Sequence, residues 1–139
     1  MNPVVLNLEI CGSTLVVLGL AHAYFPKRFR WAEETRDLSP LTRQVFSVHN
    51  AFIGLTVIMM GLISSLCAQE LVRPSRLAAV LLAGLTAFWG ARLYAQFKIY
   101  DEQLWLGKKF ETRIHIALSL FWVYVTGTFG YSAWLQLTS

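Results

Sequence analysis

The sequence predicts an all-α integral membrane protein, an antiparallel bundle of four transmembrane helices with both termini on the non-cytoplasmic side. Three observations carry this. Apolar residues make up 55% of the 139-residue chain and charged residues only 14%, against about 25% charged in ordinary soluble domains. The charges are also clustered. Residues 44–69 and 114–139 carry none, residues 77–97 carry only Arg92, and residues 3–26 carry only Glu9. A helix needs roughly 20 mostly apolar residues to cross a hydrocarbon core, so four such stretches make four spans. Third, the connections between them are short, which places successive spans antiparallel.

The elements follow in order as one domain, residues 1–139. Span one runs over about 3–25 and is ended by Pro26, which cannot continue the hydrogen-bond ladder. Ala21-His22-Ala23 has the small-x-small look of a signal cleavage site, but no positive charge precedes the apolar stretch, so it reads as a span. Phe29 and Trp31 among Lys27, Arg28 and Arg30 predict a short segment lying in the membrane interface. Ser39-Pro40 is a cap followed by a first-turn proline, and it opens span two, about 40–67. Pro74-Ser75 opens span three, about 75–100. Gly107 breaks the next connection, and span four covers about 108–137. Trp31, Trp105 and Trp134 fall near the expected interfaces, where indole rings anchor helices. Cys11 and Cys67 belong to no CxxC pair and read as small apolar filler.

The cations set the orientation. Lys27, Arg28, Arg30, Arg36 and Arg43 lie in the first connection, and Lys98, Lys108, Lys109 and Arg113 in the third. The opposite side has only Arg73 and Arg76. This asymmetry places connections one and three in the cytoplasm, as in a multi-pass protein of a bacterial inner membrane. The basic connections are expected to sit against anionic headgroups, and nucleic acid is not an expected partner.

All three histidines, His22, His49 and His115, fall just inside the same end of a different span. With Arg92 they lie within about two helical turns of the flanking cations, a shallow polar layer. At 100° per residue His115 shares a face with Glu111, Ser119, Trp122 and Thr126. His49 shares one with Ile53, Thr56 and Met60, and His22 one with Gly19, Leu15 and Cys11. Small and weakly polar residues favour helix contacts in membranes, so these three stripes are expected to face the bundle interior. Arg92 lies on a stripe with Trp89, Gln96 and Tyr100.

Imidazole is the commonest metal ligand, and a carboxylate one turn away can complete a site. His22, His49, Glu111 and His115 are therefore the expected ligands of a metal ion, iron, zinc or copper, and a pair of the histidines can instead ligate haem b axially. Arg92, Gln96 and Asn50 are the expected contacts of a lipid or other amphiphilic small molecule. The leading expectation is metal-centred redox or lipid- and quinone-type chemistry. A second is an accessory subunit of a larger membrane complex, or a small transporter or channel, with structural histidines. A homo-oligomer completing its site between protomers fits a bundle of this size.

Four spans, outside termini and a basic first loop resemble the membrane-associated eicosanoid and glutathione metabolism enzymes. Arg43 with His49-Asn50, and Arg92 with Tyr100, are similar to that family's glutathione-contacting stretches. The resemblance implies a glutathione-dependent membrane transferase. The chain departs from it at Ala51-Phe52-Ile53-Gly54, where the family has a glutamate shortly after the asparagine.

Overall fold

The computed structural model describes residues 2–138, in which all regular structure is helical. Four helices are long and apolar enough to span a membrane: α1 (Pro3–Ala21), α4 (Pro40–Leu66), α6 (Arg76–Lys98) and α7 (Lys109–Thr138). Between them lie three short helices, α2 (Phe25–Arg28), α3 (Trp31–Glu34) and α5 (Ala68–Val72), and a single 3₁₀ turn at Glu102–Leu104. The expected caps form. Ser39 accepts from the Thr42 amide at 3.2 Å and Ser75 from the Ala78 amide at 3.1 Å, each satisfying an orphan donor of a helix start.

Span one ends earlier than expected, at Ala21 rather than near Phe25. Residues 22–24 close three-residue turns onto Gly19, Leu20 and Ala21. Pro26 has no N–H to offer the carbonyl four residues before it, that of His22. The Asn50 side chain supplies the missing donor, its Nδ2 lying 3.1 Å from His22 O. Asn50 is thus a clasp from α4 onto the frayed end of α1.

The chain divides into two compact units, Leu8–Ala68 and Met1–Asn7 with Gln69–Ser139. In the first, α1 and α4 meet through four glycines. A Cβ on Gly12 would stand 2.5 Å from the Gly61 carbonyl oxygen, and one on Gly19 would stand 2.8 Å from that of Gly54. The two glycines of each helix are seven residues apart, two turns along one face. Backbones approach this closely only where no side chain intervenes, the usual basis of tight packing between apolar helices in lipid. Cys11, Leu15 and Gly19 are buried on this face, as the His22 stripe predicts.

The His49 stripe turns the other way, a correction to the expected inward face. His49, Ile53 and Thr56 are exposed, whereas Gly54, Val57, Gly61 and Ser64 are buried. The glycines decide which side of α4 comes closest to α1. His49 sits one residue, about 100°, away from the register of Asn50, Gly54 and Gly61.

In the second unit α6 and α7 pack antiparallel, with partners falling along α7 as they rise along α6. A Cβ on Gly130 would touch Thr86 Cγ2 at 3.5 Å, and one on Gly90 would touch Thr126 Cγ2 at 3.9 Å. Between these levels and the next, Trp89 and Trp122 stack with centroids 5.3 Å apart and planes 16° apart. Both are almost fully buried. At one end of the pair, Gln136 accepts from the Ser75 amide and donates to Leu71 O and Arg73 O, fastening the α5–α6 turn to α7. At the other end a second glutamine does comparable work.

Candidate functional site

That second glutamine is Gln96, buried on α6 one turn after Arg92. Arg92 Nη1 donates to Gln96 Oε1 at 3.0 Å, and Gln96 Nε2 lies 2.9 Å from His115 Nδ1 on α7. Guanidinium only donates, so the amide oxygen must face Arg92 and the amide nitrogen must face the histidine. Nδ1 of His115 therefore accepts, and the ring hydrogen belongs on Nε2. Arg92 in this way orients a histidine on another helix without touching it.

Aromatic rings frame the relay. The Arg92 guanidinium carbon is 4.7 Å from the Trp122 centroid and 5.4 Å from that of Tyr100. Such contacts hold a cation against the electron-rich ring face. Trp105 stacks on His115 at 3.8 Å between centroids and 10° between planes. The Thr112 hydroxyl donates to Trp105 O at 2.8 Å, tying the loop to the first turn of α7 just before the stacked imidazole. The sequence places Trp105 at an interface; its place on His115 has no sequence signal, because it follows from loop closure around Gly107, where φ is +78°.

Among the described residues the one ion pair is Arg30–Glu33. Arg92 has no carboxylate partner among the described residues, and Glu111 is exposed in the first turn of α7. Among the described residues three buried donors, Trp89 Nε1, Trp122 Nε1 and Thr126 Oγ1, lie along the same pair of helices without an acceptor. Ser119, Ser132 and Thr86 return their hydroxyls to a carbonyl one turn back, which Thr126 does not.

The other two histidines are engaged within their own helices. His22 Nδ1 is 2.9 Å from Leu18 O and His49 Nδ1 is 2.8 Å from Val45 O. A carbonyl can only accept, so both rings carry hydrogen on Nδ1, the nitrogen that accepts in His115. The Phe25 ring also lies 4.8 Å from that of His22.

The structure thus brings Arg92, Gln96 and His115 together, and joins Asn50 to His22 through the backbone. Of the expected ligands, His22 and His49 lie in the Leu8–Ala68 unit, and Glu111 and His115 in the other. Among the described residues no group of three or more His, Cys, Asp or Glu side chains is placed to hold a metal ion. Of the four, His49 and Glu111 are exposed, and Gln96 already holds Nδ1 of His115. No family model, no curated protein and no solved structure matches the chain.

Proposed function

We propose that this chain is a multi-pass membrane protein that recognises the acidic head of a membrane amphiphile through the α6–α7 pair. In this reading the basic connections lie in the cytoplasm, and Arg92 lies in the leaflet on that side. The observation that carries the reading is Arg92 itself. It is a guanidinium within a span, aligned by Gln96 and two aromatic faces, without a carboxylate partner among the described residues. An ionisable group at such a position marks a ligand site by default, because an idle charge in lipid is costly. Its planar fork suits a monoanion such as a carboxylate.

The test is retention of a long-chain carboxylate by the full chain in phosphatidylcholine nanodiscs, read by native mass spectrometry. Wild type is expected to retain it in preference to the corresponding alcohol. Arg92→Gln is expected to abolish that preference, and Arg92→Lys to lose most of it, since an ammonium lacks the fork. Unchanged selectivity in Arg92→Gln would overturn the reading.

One observation favours a second reading, a metal ion with redox or lipid-modifying chemistry. Metal-binding imidazoles usually give their other ring N–H to a carbonyl or carboxylate, as His22 and His49 do here. Elemental analysis and a visible spectrum of protein purified without added metal separate a bare ion, haem and no metal. Stoichiometric metal that is lost in His49→Ala supports this reading, and metal-free protein ends it.

A further inference from the structure

The connection between α1 and α4 carries its own cluster of cations, which the Arg92 reading does not use. A cavity of about 580 Å³ opens there, lined among others by Lys27, Arg30, Trp31, Arg43, Phe46 and Ser47. Arg30 is neutralised within it, its guanidinium 2.7 Å from Glu33 Oε2. Lys27 and Arg43 have no acidic partner among the described residues. The lining thus holds two uncompensated positive charges.

We propose that this cavity binds the phosphate of an anionic membrane lipid whose head ends in a phosphomonoester, held between Lys27 and Arg43. Charge matching selects the head, since a phosphomonoester carries close to two negative charges at neutral pH. The flanking rings select a lipid. Phe25, Phe29, Trp31 and Phe46 form an unbroken row with successive centroids 5.9, 6.3 and 4.9 Å apart, ending at the cavity wall. Phe29 in this row is 54% exposed. An apolar row beside a charge pair, directly after an apolar span, matches the junction of a lipid head with its acyl chains. The backbone is bent to suit. Arg30 is the one non-glycine residue with positive φ among the described residues, at 53°, a strained conformation for a long side chain. It turns α2 into α3, and the edge-to-face contact of Trp31 with Phe46 lays α3 against α4.

The test uses the full chain in phosphatidylcholine nanodiscs doped with phosphatidic acid or with phosphatidylglycerol, with retained lipid counted by native mass spectrometry. Wild type is expected to retain phosphatidic acid preferentially, and Arg92→Gln to retain it equally, which separates this site from the carboxylate site. Lys27→Gln/Arg43→Gln is expected to weaken retention about thirtyfold, roughly fivefold for each cation. Arg28→Gln/Arg36→Gln removes the same charge from the same connection but outside the cavity lining, and should keep retention near wild type. The charge-conserving pair Lys27→Arg/Arg43→Lys, which guards against misfolding, should retain the lipid within a few-fold. Equal loss in the two charge-removing doubles would mean diffuse surface attraction and overturn the site. Displacement of the lipid by glycerol phosphate at matching concentration would overturn the lipid as its occupant.

Discussion

Gln96 Nε2 donates to His115 Nδ1 at 2.9 Å, and the direction of that bond is set by Arg92, which holds the other end of the same amide. The three residues form a one-way chain of donors from α6 to α7. A glutamate in place of Gln96 accepts from both neighbours and needs a hydrogen on Nδ1 of His115. Gln96→Glu is therefore expected to reverse the ring's hydrogen placement, seen as exchanged ¹⁵N shifts of Nδ1 and Nε2 in selectively labelled protein. Unchanged shifts would contradict the relay. Gln96→Leu, which strands Arg92 without its acceptor, is expected to cost about 1–3 kcal/mol in detergent unfolding.

Asn50 and Pro26 are coupled through a carbonyl that neither residue owns. Asn50→Leu leaves His22 O without a donor and is expected to cost about 1–3 kcal/mol. In a Pro26→Ala background the restored backbone N–H can reach the same oxygen, so the penalty of Asn50→Leu should shrink to well under half. A double-mutant cycle of unfolding free energies measures this, and additive penalties would exclude the coupling.

The glycine contact between α1 and α4 predicts a sharp contrast between sites. A Cβ on Gly61 would stand 2.6 Å from the Gly12 carbonyl oxygen, whereas one on Gly127 meets nothing within 4 Å. Gly61→Ala is expected to lose about 1–3 kcal/mol or more, because backbone must move. Gly127→Ala is expected to be neutral or to gain up to about 1 kcal/mol from helix propensity. Thermal unfolding of both in one detergent reads the difference.

Thr126 Oγ1 is buried without a partner among the described residues. Removing an unsatisfied hydroxyl while keeping the shape relieves a desolvation cost, so Thr126→Val is expected to raise the Tm. A lowered Tm would show that the hydroxyl is satisfied by something bound between α6 and α7.

How much of this was legible in the chain depends on the physics behind each feature. The helix starts at Ser39-Pro40 and Ser75 were readable, because a cap acts on amides two or three residues away. The inward face of Ser119 and Trp122 was readable too, since both lie on the His115 stripe. The face of His49 was not. Its stripe has the right residues, but the register of α4 is chosen by Gly54 and Gly61 meeting Gly12 and Gly19. The end of α1 was misplaced for a related reason, as the lost bond at Pro26 is repaired by Asn50 from a different helix.

The sequence by itself determined that the chain is helical, with four helices long and apolar enough to cross a membrane. Four apolar stretches of that length would satisfy their backbone within helices in a bilayer, whatever the packing. It also determined which polar residues lie within those four helices. Only the tertiary structure decided what those residues do. Arg92, Gln96 and His115 became a relay, His22 and His49 bonded to their own helices, and Lys27 and Arg43 came to line one cavity. Hydrogen-bond partners depend on helix rotation to within tens of degrees, and that rotation is set by side-chain contacts distant in sequence.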